Sequence, residues 1–136
     1  MSILLNPYLA LDGTCRQAME FYQSVLGGDL SVMTFGEAQG GAEFPGSDRV
    51  MHSSLTTDDG MVIFASDTME GMPQTQGDTV AVSISGDDDR LAGFFAKLSE
   101  GGQPVVPFEK QMWGDVYGMV RDQFGVLWHV NQLGQQ

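Results

Sequence analysis

Arg16-Gln17-Ala18-Met19-Glu20-Phe21-Tyr22-Gln23-Ser24-Val25-Leu26-Gly27-Gly28 is one of two copies of a pattern in this chain. Arg16, Ala18, Phe21 and the Gly27-Gly28 pair return about 74 residues later as Arg90, Ala92, Phe95 and Gly101-Gly102, at identical internal spacing. Such a period marks a duplicated supersecondary unit. In the first copy Thr14 is placed to cap a helix, with Gln17 as its capping-box partner. Cys15, Ala18, Met19, Tyr22, Val25 and Leu26 share one face at helical spacing, and Gly27-Gly28 supplies a left-handed stop. In the second copy Asp87, Asp88 and Asp89 are the caps. Leu91, Phe94, Phe95 and Leu98 form the apolar face, and Gly101-Gly102 is the stop.

Outward from the helices the sequence reads as strands. Residues 3–11 are apolar, with Pro7 marking an edge or bulge. Residues 30–35 form a second strand, and 50–57 and 61–66 form a hairpin across Asp58-Asp59-Gly60. A long loop at 36–48 contains four glycines and Pro45. Gly71, Pro73 and Gly77 mark 67–78 as the linker between copies. The second copy continues with strands at 79–85, 103–107, 116–121 and 126–132, the last two joined by a turn from Asp122 to Gly125. The expected fold is α+β, with two tandem βαβββ modules at about 1–68 and 79–136 within one domain. Two similar half-sheets are expected to enclose a concave ligand site.

Composition narrows the function. Eighteen acidic and six basic side chains give a formal net charge of -12, a field that repels phosphate backbones and anionic membranes. Nucleic-acid and membrane partners are therefore not expected. A cationic or neutral small molecule suits the charge better, although solubility alone explains an acidic surface. Cys15 is the single cysteine, so no intrachain disulfide forms, as in a reducing compartment. The opening Ile3-Leu4-Leu5-Asn6-Pro7 has neither the basic region nor the apolar run of a signal peptide. Cytoplasmic location is the expectation.

The segment Tyr8-Leu9-Ala10-Leu11-Asp12-Gly13, followed by Arg16 through Tyr22 and Gly27-Gly28, resembles the opening of PhnB-like proteins of the vicinal-oxygen-chelate superfamily. That superfamily includes glyoxalase I, bleomycin-resistance proteins, fosfomycin-resistance enzymes and extradiol dioxygenases. Trp113-Gly114-Asp115, Tyr117-Gly118, Asp122-Gln123-Phe124-Gly125 and Trp128 resemble its closing signature. The resemblance spans nearly the whole chain. It implies paired βαβββ modules forming an open barrel-like cleft, usually in a homodimer, and in many members one divalent metal.

The resemblance places metal ligands on the first and last strands of each module. Carried over strand by strand, the first-strand positions, 74 residues apart, fall on Asn6 and Val80, and the last-strand positions, four residues past Gly60 and Gly125, fall on Phe64 and His129. Only His129 is a strong ligand, whereas a catalytic metal site wants about three with one position open. The expectation is no metal cofactor, with a slip of one residue in a short strand as the way this reading fails. By alternation the same faces carry Asn6, Tyr8 and Ala10; Val62, Phe64 and Ser66; Val80, Val82 and Ile84; Leu127, His129 and Asn131. Trp113 and Tyr117 sit near the last hairpin, placed to close over a ligand. Met33, Met51, Met61, Met112 and Met119 would make adaptable walls.

His129 and His52 are the candidate acid–base groups, although a hydrogen-bonded strand histidine is the more ordinary role for each. Cys15 lies on the apolar face of its helix, so packing is expected of it rather than reactivity. Trp113 and Trp128 suit ligand stacking, core packing or a dimer contact about equally. Three functions remain open: a metal-independent binder of cationic or aromatic small molecules; a metal-dependent lyase, isomerase or dioxygenase; and a dimeric interaction module with a vestigial cleft. The first fits the residues best.

Overall fold

Each helix is held against its own sheet by one apolar stripe. In the computed structural model, which describes residues 3–134 other than Pro73, Gln76 and Asp78, the chain runs β1 (Tyr8–Leu11), α1 (Cys15–Leu26), β2 (Asp29–Thr34), α2 (Phe35–Ala38), β3 (Val50–Thr56) and β4 (Val62–Asp67). It continues with β5 (Val82–Gly86), α3 (Arg90–Leu98), β6 (Gln103–Lys110), β7 (Val116–Arg121) and β8 (Leu127–Gln132). Two compact units divide it, Met1–Thr75 and Gln76–Gln136. Of the expected linker, Pro73, Gln76 and Asp78 lie outside the described residues. Among the described residues no helix is long and apolar enough to cross a membrane.

The duplication is visible in the strand order. The first sheet is β1-β4-β3-β2 and the second β5-β8-β7-β6. In each, the first strand runs parallel to the last and the remaining pairs are antiparallel. This is an α+β fold of two βαβββ-like modules.

α1 buries the six residues that the spacing selects, Cys15, Ala18, Met19, Tyr22, Val25 and Leu26. They meet Val50 and Leu55 of β3 and Ile63 and Ala65 of β4, all buried. α3 buries Leu91, Phe95 and Leu98 against Val120, Trp128 and Val130, which are fully buried. Each of the Val, Leu, Ile, Phe and Met side chains among them contributes about 1.5–3 kcal/mol by leaving water. Phe94 does not join this stripe; it is half-buried, with the Arg90 guanidinium 5.7 Å from its ring centroid.

The glycine pairs do two different jobs. Gly27 and Gly101 adopt φ of 76° and 71°, the left-handed turn that leaves a helix. Gly28 and Gly102 let the backbone pass close to a strand end. A Cβ on Gly28 would lie 2.3 Å from the Thr56 carbonyl oxygen, and one on Gly102 would lie 2.5 Å from that of Arg121. The repeated second glycine thus marks the same crowded crossing in both units.

Several expectations need correction. The first strand starts at Tyr8 rather than at residue 3, and Ile3, Leu4 and Leu5 are exposed. Parallel pairing begins where the Pro7 carbonyl accepts the Phe64 N–H at 3.0 Å, so Asn6 precedes the strand, its amide donating to the same carbonyl. The Thr14–Gln17 capping box does not form, because Thr14 makes no side-chain cap bond. A carboxylate 52 residues away takes its place: Asp67 Oδ1 accepts the Cys15 N–H at 3.0 Å. Asp67 Oδ2 accepts the Val50 N–H at 2.9 Å, tying α1 to β3 and β4 at once. Asp88, rather than Asp89, caps α3: it accepts the Arg90 N–H at 2.9 Å and the Arg90 guanidinium, which holds its carboxyl below the usual carboxylate range. The loop at 36–48 carries a short helix, α2, capped by Thr34 Oγ1 on the Glu37 N–H. The expected strand at 79–85 is Val82–Gly86, with consequences described below.

Cys15 is fully buried, with its Sγ 3.4 Å from Ser53 Oγ. Ser53 gives its own proton to the Ala65 carbonyl, so the thiol is the donor to Ser53. Burial pushes its pKa from 9.0 up to about 11. The folded state therefore favours the protonated thiol. That contribution is complete below pH 9 and is lost as pH rises through 11.

Three outcomes follow. Asp67→Asn places an amide N–H₂ against one backbone N–H, and it lowers unfolding stability by about 2–3 kcal/mol in urea titration. At pH 8, iodoacetamide leaves Cys15 untouched in the native protein and alkylates it in urea, as mass spectrometry reports. The wild type also loses stability between pH 9 and 11 relative to Cys15→Ala.

Candidate functional site

Strand alternation gives each sheet a face turned away from its helix, and the chemistry-bearing side chains collect there. In the first unit, buried Ile63, Ala65 and Asp67 of β4 point to α1, which leaves Val62, Phe64 and Ser66 on the other face. The register sets Tyr8 opposite Phe64, Phe64 opposite Ser54 and His52 opposite Met33. Tyr8, His52 and Phe64 thus form one aromatic group. His52 and Phe64 meet edge to face at 5.0 Å between centroids, and Tyr8 lies 6.0 Å from His52 and 6.1 Å from Phe64. Tyr8 remains 55% exposed, so a flat apolar molecule has a ring to stack on.

In the second unit β8 buries Trp128 and Val130, so Leu127, His129 and Asn131 lie on the face away from α3. Tyr117 of β7 pairs with Asn131, and Met119 with His129. The Tyr117 hydroxyl and His129 Nδ1 are 2.5 Å apart, and the two rings stack at 29° with centroids 5.8 Å apart. Imidazole nitrogen is the stronger base of this pair, so the phenol donates, Nδ1 accepts, and the neutral ring carries its proton on Nε2. Trp113, 62% exposed, stands 6.5 Å from Tyr117. Trp128 has no ligand role: it is fully buried, with Nε1 donating to Asp122 Oδ2 at 2.9 Å.

Asn131 is held by a residue that periodicity does not reveal. Its amide donates to Asp115 Oδ2 at 3.0 Å, while Asp115 Oδ1 accepts the Gly134 N–H at 2.8 Å. These two bonds, the Asn131 amide first, hold the Asp115 carboxyl below its usual range. The sequence signal was present in the Trp113-Gly114-Asp115 run, but the partner lies a hairpin away.

Two expected site residues sit elsewhere. Val82 pairs with Trp128, and Ser83 with His129. Val82 and Ile84 therefore belong to the face toward α3, and Ser83 and Ser85 to the face of His129 and Asn131. Val80 precedes β5 and is 81% exposed. The helices repeat at 74 residues, but the first strands match at one residue more, since Ser83 stands to His129 as Tyr8 does to Phe64. That single step reverses the face.

The register sets Tyr8 beside Phe64 in one unit and Ser83 beside His129 in the other. A phenyl ring has no lone pair to offer, and phenol and serine hydroxyls are weak neutral donors. His129 alone has ligand chemistry, and its Nδ1 already holds Tyr117. In neither unit does this pair by itself supply the three or so strong ligands that a divalent ion wants. Within neither unit, among the described residues, do three His, Cys, Asp or Glu side chains group to hold a metal.

Comparison with known proteins agrees with this architecture. Residues 4–130 match the model of the Glyoxalase/Bleomycin resistance protein/Dioxygenase superfamily. The chain is 30% identical over 144 residues to Protein YjdN of Escherichia coli (strain K12), with 97% of each covered. Protein PA1353 from Pseudomonas aeruginosa superposes with a TM-score of 0.86 at 31% identity, covering 98% of this chain and 100% of that one. The PhnB protein from Bacillus cereus shares the fold, with a TM-score of 0.77 at 20% identity, covering 96% and 99%.

The Tyr117–His129 bond has a direct spectroscopic test. Tyr117→Phe removes the donor to Nδ1, so the ¹⁵N spectrum of His129 changes from a dominant Nε2–H tautomer in the wild type to a mixture. An unchanged tautomer pattern would mean that the bond does not set the ring.

Proposed function

The chain belongs to the Glyoxalase/Bleomycin resistance protein/Dioxygenase superfamily, and on that premise we propose that it binds a small molecule without a divalent metal. The observation that carries this reading is the chemistry of the faces away from the helices. Tyr8, His52 and Phe64 offer rings in the first unit; Trp113, Tyr117, His129 and Asn131 offer rings and hydrogen-bond groups in the second. Aromatic walls with a few placed polar groups are the usual make-up of a small-molecule site. The Nε2–H of His129 and the hydroxyls of Ser83 and Ser85 supply polarity without net charge.

The net charge of -12 favours a cationic or neutral aromatic ligand over an anionic one. In this reading the protein works as a homodimer in the cytoplasm, where its single thiol stays reduced. Superfamily membership does not by itself assign a reaction, because activity resides in the site rather than in the fold. A metal-dependent lyase, isomerase or dioxygenase would have to draw its other ligands from residues unlike those at the matched positions.

Amide-resolved NMR titration with a panel of planar aromatic amines and neutral aromatics tests the proposal. Saturable shifts are expected at Tyr8, His52, Phe64, Tyr117 or His129, unchanged by chelator. His129→Ala and Tyr117→Phe weaken binding about tenfold, the size of one lost hydrogen bond. Binding that appears only after zinc, nickel, manganese or iron is added, or no saturable binding at all, overturns it.

A further inference from the structure

The loop at residues 35–49 in the first unit carries a cavity whose lining includes none of the aromatic residues described above. Its neck is closed by backbone bonds from the Phe35 N–H to the Arg49 carbonyl at 3.0 Å and from the Gly36 N–H to the Ser47 carbonyl at 2.9 Å. Inside the neck, Gly41 bonds back to Gly36, and Ser47 to Phe44. A segment with joined ends and internal bonds is a compact Ω-type loop, a frequent carrier of function. The cavity beneath it has a volume of about 220 Å³ and is lined by Phe35, Phe44, Pro45, Gly46, Met69 and Glu70.

The lining has one kind of wall and one charge. Two phenyl rings, a proline and a thioether line the cavity together with Glu70, which is itself exposed. Phe44 is 37% exposed and Met69 62% exposed, so the apolar wall is open to solvent. The nearby cation, Arg49, is already engaged. Its guanidinium donates to Asp12 Oδ1 at 2.7 Å and to the Thr68 carbonyl at 2.9 Å; it feels the charge of Glu70, but no direct ion pair forms on Glu70 among the described residues. Gly46 makes room for the acid: with φ at +84°, a Cβ there would stand 2.9 Å from Glu70 Cβ.

We propose that this loop cavity is a second binding site, for a small organic ammonium ion that carries an apolar group. The faces of Phe35 and Phe44 attract a cation through their ring quadrupoles. The Met69 thioether adapts to the shape of the substituent, and Glu70 supplies the counter-charge. The net charge of -12 concentrates cations at the surface. A neutral molecule of the same shape keeps only the apolar contact, and an anion meets Glu70 with the wrong sign. This site is independent of the reading of the sheet faces, and its residues report separately.

Benzyltrimethylammonium is the probe and benzyl alcohol the neutral control, each titrated into ¹⁵N-labelled protein. The expected result is saturable shifts of the Gly46, Phe44 and Glu70 amides with the cation and at least fivefold weaker binding of the alcohol. Glu70→Gln weakens the cation about fivefold, as for a partly exposed ion pair, and Phe44→Ala weakens it about tenfold by removing a ring face. Spectra elsewhere in the first unit verify that both variants are folded. Equal affinity for cation and alcohol, an unchanged affinity in Glu70→Gln, or no saturable shift in the loop overturns the proposal. Shifts confined to Tyr117 and His129 also overturn it, while leaving the sheet-face reading intact.

Discussion

The carboxylate of Asp67 sets the geometry on which the first unit rests. It is buried, 5% exposed, and each of its oxygens accepts one backbone N–H, from the start of α1 and from the start of β3. Those donors belong to a helix end and a strand end that lack partners of their own. A buried carboxylate with both oxygens engaged offsets the cost of leaving water. With α1 pinned there, its apolar stripe faces Leu55 and Ala65, and the opposite side of the sheet is left for Tyr8, His52 and Phe64. Asp122 uses the same chemistry differently in the second unit. Its Oδ1 accepts the Phe124 and Val126 N–H groups, which closes the β7–β8 turn, and its Oδ2 fixes Trp128 under α3.

Local and periodic features were legible in the sequence. The repeat gave the module order, and the 3.6-residue spacing selected all six buried residues of α1. Asp58-Asp59-Gly60 placed the β3–β4 turn, with Gly60 at φ 84°. What stayed hidden depends on partners distant in the chain. Nothing near Thr14 announces that Asp67 will cap the helix in its stead, and Asn131 does not reveal that Asp115 holds it.

The phase of β5 was hidden for another reason. Ala81-Val82-Ser83-Ile84-Ser85 alternates cleanly, but alternation does not say which face is core. Spacing borrowed from the helices put the valines beside His129. Burial demands the reverse, because Val82 and Ile84 are the apolar side chains available to line α3. Of the candidate residues, His52, Phe64, Tyr8, Tyr117, Trp113, His129 and Asn131 stand on or beside the faces expected of them. Asn6, Val80 and Val82 do not.

The two copies differ most between their second and third strands. In the second unit β6 and β7 are joined by residues 111–115, a tight connection in which the Gln111 N–H meets the Asp115 carbonyl at 2.7 Å. In the first unit the same connection spans 35–49 and closes on itself at the neck. A segment whose two ends are already fastened to each other exerts no pull on the sheet that bears it. Evolution can therefore lengthen, shorten or rewrite it without renegotiating the fold. One half of a duplicated protein thus carries a self-closed cassette, while its twin makes the same connection by a tight turn.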